Sequence, residues 1–392
     1  MTRLRHFSHL AICLMCSLMG LYANPVSGQD QAAAVFEAHR ANVFQVRMLD
    51  RATGTKAGIG SGFLVSSEGH LVTNFHVVSQ LIYKPELYQV EYLHEDGQRG
   101  PLELRAIDVI HDLAILQASQ LQTDNYLRLH ETPPRNGERL YAFGNPHDLG
   151  LTIVEGTYNG LLEKSLYEKI HFTASINPGM SGGPTVNRAG EVVGVNVSTA
   201  GNQLSFLVPA RYIQALLKTA ADYDPAQTDF TVMARDQLLD NQSTFVNKVL
   251  AAPLSPTTIS DYVVPGKFAA FLNCWGDTQQ RDDTLYEWAY QACSTSDDLY
   301  LSENQTSGVI SFSHELFTTK ELGPIRFFGF LQDRFQAHRS RLAGEEEMVT
   351  NFDCDTGFVE HNEVQSKVIF CLRAYKKFDG LYDAFLKSSV LS

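Results

Sequence analysis

The stretch Asn177-Pro178-Gly179-Met180-Ser181-Gly182-Gly183-Pro184 decides the fold of this 392-residue chain. It predicts a serine held in a glycine-rich turn, where the backbone N–H groups of Gly179 and Ser181 can bind a developing oxyanion. Glycine is expected around the serine because a Cβ there would obstruct an approaching substrate. The stretch alone also fits a turn of small residues between two strands, so a histidine and an aspartate must be found upstream.

A histidine stands upstream at the end of a predicted hairpin. Residues 60–65 and 69–78 contain apolar, β-branched runs separated by the turn residues Ser66 to Gly69, a pattern typical of two paired strands. His76 falls just past the second strand, which is a rigid place for a general base. Four other histidines are interpreted as surface or hydrogen-bonded core residues: His70, His111, His147 and His171.

An aspartate completes the set of candidate residues. Asp112 precedes the apolar run Leu113–Leu116, and Asp108, four residues earlier, is the alternative. Catalysis by a serine nucleophile with a histidine base and an aspartate is known in three chain orders, and His76, Asp112, Ser181 is one of them. A serine hydroxyl needs an adjacent base, so His76 is predicted to take its proton and Asp112 to orient the imidazole.

With these residues in order, the chain resembles the HtrA (Deg) family of trypsin-like serine proteases over about residues 35–215. The segments that carry the resemblance are Gly60–Phe63, Thr73–Val78, Asp112–Leu116, Gly144–Gly156, Gly190–Asn196 and Ser205–Ala210. The resemblance implies a mainly β fold of two antiparallel β-barrels, with the active site in the crevice between them. It also implies polypeptide substrates, a role in removing unfolded or damaged proteins, and a homo-oligomer, usually a trimer.

The residues just before the nucleophile bear on activation and specificity. Met180 stands where the family usually has Asn and zymogen-activated relatives have Asp, so activation by pairing with a new N-terminal amine is excluded. Ser175, six residues before Ser181, stands where trypsin has an acidic residue, and Ile176 is expected to narrow the substrate pocket. A neutral, narrow pocket favours small or medium apolar P1 residues such as Val, Ala or Ile.

Charge and the N-terminal segment limit the partners and the location. The formal net charge is −13, with 24 acidic and 14 basic residues from Tyr223 onward, so no nucleic-acid partner is expected.

Arg3 and Arg5 precede the apolar run Leu10–Tyr22, and residues 1–28 are therefore predicted to be a signal peptide. The run is short for a membrane span, although an uncleaved anchor stays an alternative. We expect an exported protein, periplasmic or extracellular, without stable membrane insertion.

The cysteines beyond the signal segment lie in the second half of the chain: Cys274, Cys293, Cys354 and Cys371. An even number in an exported chain indicates disulfides. Four cysteines allow three pairings, and Cys274–Cys293 with Cys354–Cys371 is favoured because each pair brackets a plausible hairpin. The other two pairings remain open at this point. These four cysteines include no C-x-x-C pair and have no nearby histidine to complete a ligand set, so we predict no metal site and no cofactor.

A polar, proline-containing junction at residues 220–230 divides the chain. Residues 31–222 are predicted to form a trypsin-like protease domain, and residues 228–392 a smaller α+β domain with the two disulfides. The second part has no recognisable carboxylate-binding loop of a PDZ domain. Helices are predicted at Ala210–Thr219, Val232–Leu250, Phe327–Phe335 and Leu381–Leu386.

Two functions fit these patterns. The first is an exported serine endopeptidase that cleaves unfolded or damaged proteins. The second is a chaperone or binding protein on a protease scaffold, with weak or regulatory proteolysis, which Met180 and the unfamiliar second half motivate. A Ser181→Ala variant separates the two, because only the second function survives the loss of the nucleophile.

Overall fold

The computed structural model of this protein describes residues 28–390 except residues 202, 252–254, 280–283, 336–345 and 362. The predicted signal peptide therefore lies outside the described residues except for its last position. The described part is mainly β, as the sequence predicts. No helix among the described residues is long and apolar enough to cross a membrane.

The N-terminal part forms a seven-stranded antiparallel sheet with the spatial order β5-β4-β1-β2-β3-β7-β6. Its elements are α1 (Gly28–His39), β1 (Val43–Asp50), β2 (Lys56–Leu64), β3 (His70–Thr73), α2 (Phe75–Tyr83), β4 (Tyr88–Leu93), β5 (Arg99–Pro101), β6 (Glu103–Asp108) and β7 (Leu113–Gln117). The sheet is open, so the first of the two predicted barrels is a half-barrel. The predicted hairpin is present, since Phe63 of β2 pairs with Val72 of β3.

The second sheet closes into a barrel with the order β10-β13-β12-β11-β8-β9. Its strands are β8 (Arg139–Gly144), β9 (Thr152–Leu161), β10 (Ile170–Thr173), β11 (Pro184–Val186), β12 (Val192–Gly201) and β13 (Leu204–Pro209), and helix α3 (Arg211–Ala221) follows. The glycine-rich stretch lies between β10 and β11 and faces the first sheet. The backbone contact is direct, because Ser61 of β2 donates its N–H to the carbonyl of Ser181 at 2.7 Å.

The C-terminal part contains one long helix and several small antiparallel sheets. Its elements are α4 (Phe230–Ala251), β14 (Pro256–Ile259), β15 (Tyr262–Pro265), β16 (Asn273–Gln279), β17 (Glu287–Ser294), β18 (Leu299–Tyr300), β19 (Thr306–Ser307), β20 (Ser311–Thr318), α5 (Pro324–Arg334), β21 (Asp353–His361), β22 (Val364–Ala374) and β23 (Tyr382–Val390). Three of the predicted helices are present as α3, α4 and α5.

The helix predicted at Leu381–Leu386 is wrong, because all of this segment after Leu381 belongs to strand β23. The apolar residues of this short segment fit both a helical and an alternating pattern. The open edge of β22 decides the outcome, since pairing satisfies the backbone hydrogen-bonding groups of both strands. The pairing runs from Ala374 opposite Tyr382 to Ser366 opposite Val390.

The C-terminal part shares a hydrophobic cluster with the N-terminal sheet. Buried side chains of the sheet and of helix α2, including Phe75 and Val78, contact buried residues that come from the second half of the chain. These residues are Ala234, Leu238, Leu299, Leu301, Met348, Val349, Tyr375, Phe378 and Leu381. Burial of one large apolar side chain is worth about 1.5–3 kcal/mol. The folded C-terminal part therefore stabilises the sheet that carries the candidate base.

Both disulfides are present with the pairing that the sequence favoured. Cys274 of β16 is bonded to Cys293 of β17, and Cys354 of β21 is bonded to Cys371 of β22. In each case the two cysteines are direct cross-strand partners. Each bond closes a short loop, with sequence separations of 19 and 17 residues, and a bond of this kind stabilises by about 3 kcal/mol.

Candidate active site

The carboxylate of Asp112 holds the candidate base in two ways. Its Oδ2 lies 2.7 Å from Nδ1 of His76, and its Oδ1 accepts the backbone N–H of His76 at 2.9 Å. His76 is the second residue of α2, so the same carboxylate caps the N-terminus of that helix. Asn74, which precedes α2, donates its side-chain Nδ2 to the backbone carbonyl of Asp112 at 2.8 Å. These contacts fix both the position and the tautomer of the imidazole.

Asp108, the alternative partner, is engaged elsewhere. Its Oδ2 lies 2.7 Å from Nδ1 of His111, and its Oδ1 accepts the backbone N–H of the same residue at 3.0 Å. The ring of His111 in turn stacks on the ring of Tyr212, with centroids 3.7 Å apart. The structure therefore brings Asp112, and not Asp108, to His76.

The electrostatic surroundings of His76 favour its protonated form. Burial by itself would lower the pKa of His76. The charge of Asp112 and its hydrogen bond, together with the charge of Glu303, outweigh burial and raise the pKa above its usual value. Glu303 comes from the C-terminal part, so both halves of the chain set the basicity of this imidazole.

Ser181 does not hydrogen-bond to His76 within the described part of the chain. Its side-chain Oγ donates to the backbone carbonyl of Val197 on β12, at 3.1 Å. The side chain is partly exposed at the junction of the two sheets. Staggered rotamers are the alternatives open to a serine side chain, so a change of χ1 is the movement that would redirect this hydroxyl.

The peptide group before Gly179 has a fixed orientation. The carbonyl of Pro178 accepts the backbone N–H of His147 at 2.9 Å. A trans peptide directs its C=O and its N–H to opposite sides, so the N–H of Gly179 points away from His147. None of the described residues accepts this N–H.

The peptide group before Ser181 is fixed in the same way. The carbonyl of Met180 accepts the backbone N–H of Gly183 at 3.1 Å and the side-chain Nδ2 of Asn196 at 3.2 Å. The N–H of Ser181 therefore points to the opposite side. It too has no acceptor among the described residues, so the N–H groups of Gly179 and Ser181 are both available to a bound anion.

Ser61 is a site residue to which sequence reasoning gave no role. Its buried Oγ donates to the carbonyl of Gly179 at 2.7 Å and accepts the backbone N–H of Asn145 at 2.9 Å. Its carbonyl accepts the hydroxyl of Thr73 at 2.8 Å. Ser61 thus links strand β2 to the glycine-rich stretch. The signal was the Gly-Ser-Gly-Phe segment, which carries the family resemblance but does not reveal what its serine contacts.

The glycines of the stretch are required for a reason other than the expected one. A Cβ on Gly179, where φ is 93°, would lie 2.4 Å from the carbonyl oxygen of Asn145. A Cβ on Gly182, where φ is 83°, would lie 2.3 Å from the carbonyl oxygen of Ser61. Both clashes are with the protein's own backbone, so these glycines permit close approach of two chain segments. The expected clash with substrate is not needed to explain them.

The residues before the nucleophile differ in exposure. Met180 is fully buried in the cluster inside the closed barrel, where it contacts Gly144. Ile176 is buried in the same cluster, and Ser175 is exposed. Met180 therefore anchors the stretch by packing. Ile176 is 3% exposed, and its narrowing of a substrate pocket stays a prediction.

Comparison with known proteins gives a consistent result. Residues 60–195 match the family model described as the trypsin-like peptidase domain. The mitochondrial serine protease HTRA2 of Drosophila erecta is 33% identical over 176 residues, which cover 42% of this chain and 40% of the relative. The corresponding protein of Drosophila virilis is 33% identical over 175 residues, with the same coverage of this chain and of the relative. This chain thus spans about two fifths of the length of the curated relatives that it matches.

Solved structures were matched over about half of the chain. The serine endoprotease from Yersinia pestis is 24% identical, with a TM-score of 0.42, and the match covers 48% of this chain and 66% of that one. The Deg5 structure is 25% identical, with a TM-score of 0.41, and the match covers 48% of this chain and 93% of that one.

The family match defines a trypsin-like peptidase domain at residues 60–195. The HTRA2 proteins are similar to this chain over 42% of its length, so this part of the chain is similar to HtrA-type serine proteases.

Proposed function

We propose that this protein is a serine endopeptidase that hydrolyses polypeptides with His76, Asp112 and Ser181. The observation that carries the proposal is the double hydrogen bond of Asp112 to the side chain and backbone of His76. Such a hold leaves Nε2 of the imidazole as the proton acceptor. The anchored glycine-rich stretch beside it, with two N–H groups free of described partners, suits an oxyanion hole.

The reaction follows from these roles. After a change of χ1, the Oγ of Ser181 attacks the substrate carbonyl carbon while its proton passes to Nε2 of His76. The oxyanion that forms lies against the N–H groups of Gly179 and Ser181. As the C–N bond breaks, His76 returns the proton to the leaving amine and an acyl-enzyme remains. Water, deprotonated by His76, then attacks the acyl carbon and releases the second product with free Ser181.

Covalent labelling with a fluorophosphonate tests this proposal directly. The wild-type protein should label at one serine, and Ser181→Ala should not label. Ser67→Ala, at an exposed serine in the turn after β2, is the matched control and should label like wild type. Absence of labelling in folded wild-type protein would sink the enzymatic assignment.

We further propose that the pocket accepts small or medium apolar P1 residues. The exposed, uncharged Ser175 supports this, because it offers no counter-charge to a Lys or Arg side chain. A peptide-library cleavage profile should show Val, Ala or Ile at P1, and Ser175→Asp should add cleavage after Lys and Arg. A wild-type preference for basic P1 residues would contradict this specificity.

The resemblance and the N-terminal sequence support a cellular setting. We propose that residues 1–28 direct export, that the protein forms a homo-oligomer, and that its substrates are unfolded or damaged proteins. A reporter fused to residues 1–28 should be exported and lose the segment. Sedimentation of the mature protein should give a trimer mass. Degradation of an unfolded client should exceed that of the same client when folded.

One observation favours a second candidate, a chaperone or binding protein on the same scaffold. The hydroxyl of Ser181 donates to Val197, and not to His76, in this conformation. If binding is the main function, Ser181→Ala will suppress aggregation of a denatured client as well as wild type does. The gene for this variant will also complement a deletion strain. If the protein acts as a peptidase, Ser181→Ala will fail in both assays.

A further inference from the structure

A segment of the C-terminal part reaches the candidate active site. Residues 295–308, here named the cleft segment, connect β17 to β20 and contain β18 and β19. The ring of Tyr300 lies against the ring of His76, with centroids 4.9 Å apart and an interplanar angle of 39°. Glu303, three residues further on, contributes its charge to the same imidazole. One face of the candidate base is therefore covered by a residue outside the peptidase domain.

Buried residues on both sides of Tyr300 fix the cleft segment to the N-terminal sheet. Leu299 and Leu301 are 4% and 0% exposed and belong to the cluster inside that sheet. The hydroxyl of Tyr83, at the end of α2, donates to the carbonyl of Leu301 at 2.7 Å. Tyr300, between the two leucines, is partly exposed and lies against His76.

A buried carboxylate fixes the cleft segment to the closed barrel as well. Asp297 is 3% exposed and accepts the hydroxyl of Ser165 at 2.8 Å and the backbone N–H of Leu166 at 2.6 Å. Its other partner is the ammonium group of Lys169, at 3.3 Å. These three residues lie in the loop between β9 and β10. The cleft segment therefore bridges the two sheets across the crevice that carries the candidate active site.

The cleft segment is closely packed against both sheets, which holds it in a fixed position. A cavity of about 20 Å³ lies beside it, with Asp112, Val197, Leu299 and Tyr300 in its lining, and has room for about one water molecule. Withdrawal of the segment would expose two buried leucines and break the contacts of Asp297 with Ser165, Leu166 and Lys169. A substrate must consequently pass beside Tyr300, since displacing the segment is costly.

We propose that the cleft segment is one wall of the substrate cleft and that Tyr300 is a specificity-determining residue. By filling the space over the imidazole of His76, its ring limits the size of the substrate side chain at one position next to P1. The wall comes from the C-terminal part, so that part takes a direct role in substrate selection. This inference rests on the proposed endopeptidase function.

The test compares Tyr300→Ala, Tyr300→Leu and Tyr300→Phe with wild type in a peptide library that varies the residues flanking P1. Tyr300→Ala should raise kcat/KM for peptides with a bulky residue at one flanking position by about tenfold or more. The space left by the ring would admit a few more methylene groups of the substrate side chain, and contacts of that size change kcat/KM by this factor. Peptides with Gly or Ala at that position should change less than about twofold. Tyr300→Phe should keep the wild-type profile, and Tyr300→Leu should lie between.

Controls separate this inference from the proposed function. Tyr382→Ala, at an exposed tyrosine of β23, should leave the profile unchanged, and thermal melts should show all variants folded. If Tyr300→Ala is labelled and active but keeps the wild-type cleavage profile, Tyr300 does not determine specificity and the proposal is wrong. A uniform rise in kcat/KM for every peptide also overturns it, because it reveals an autoinhibitory cover. Failure of wild type to label with fluorophosphonate overturns the endopeptidase function itself.

Discussion

The hydroxyl of Ser61 donates a 2.7 Å hydrogen bond to the carbonyl of Gly179, and so joins a strand of the first sheet to the glycine-rich stretch of the second. Both atoms are buried. This bond holds Gly179, whose N–H is one of the two proposed oxyanion donors, in place.

Ser61→Ala should therefore weaken the oxyanion hole without removing a reacting group. The change leaves the carbonyl of Gly179 and the N–H of Asn145 without their partner, which costs about 1–3 kcal/mol of folding free energy. We expect kcat to fall by about ten- to a hundredfold, less than the loss of a direct oxyanion donor. Steady-state kinetics and a denaturant titration measure the two effects. Ser67→Ala is the control, and equal kcat in the two variants would refute the role of Ser61.

The two aspartates near β7 should respond very differently to the same change. In Asp112 each of the two carboxylate oxygens contacts one nitrogen of His76, Oδ2 the ring Nδ1 and Oδ1 the backbone N–H. The amide of Asp112→Asn has a single acceptor oxygen and cannot serve both groups. The wrong imidazole tautomer then results, and kcat should fall by about 10⁴-fold. Asp108→Asn alters only the contact to His111 and should retain most of the activity. Comparable losses in both variants would argue against Asp112 as the orienting residue.

The pH dependence of kcat/KM should show the raised pKa of His76. The imidazole must be neutral to accept the proton of Ser181, so activity is lost as pH falls through its pKa. Because Asp112 and Glu303 outweigh burial and raise that pKa, the acid limb should lie above the usual value of about 6.5.

The contribution of Glu303 to this limb can be isolated. Glu303→Gln removes one of the charges that raise the pKa of His76, so the acid limb should move to lower pH. Glu321→Gln, at an exposed residue before α5, is the control and should not move it. A limb that stays in place in Glu303→Gln would show that this charge does not act on the imidazole.

Asp297→Ala should release the loop between β9 and β10. The loop loses the partner of Ser165, Leu166 and Lys169, and breaking a buried charged contact costs about 3–5 kcal/mol. In a Ser181→Ala background, which prevents self-cleavage, added trypsin should cut after Lys164 or Lys169 much faster than in the parent. Asp298→Ala, the neighbouring change, should leave the cleavage rate unaltered. Equal rates in all three proteins would show that Asp297 does not hold the loop.

Local patterns were sufficient for several features of this protein. The β2–β3 hairpin, helices α3 and α4, and both disulfides follow from residue spacing, because each depends on contacts between residues that are close in sequence. The pairing of Cys354 with Cys371 is an example, since the two residues face each other across one hairpin. The strand after Leu381 was missed because its neighbour β22, and not its own pattern, determines its conformation.

The sequence by itself determined the chain order of His76, Asp112 and Ser181 and the glycines around the serine, because these depend on residue type. Only the tertiary structure decided which aspartate meets His76, where Ser61 donates its hydroxyl, and that Tyr300 covers the imidazole. Each of these contacts joins residues that are far apart in the sequence, by 36 residues for His76 and Asp112 and by 118 for Ser61 and Gly179. Their distances depend on how the whole molecule packs, and no local spacing encodes that.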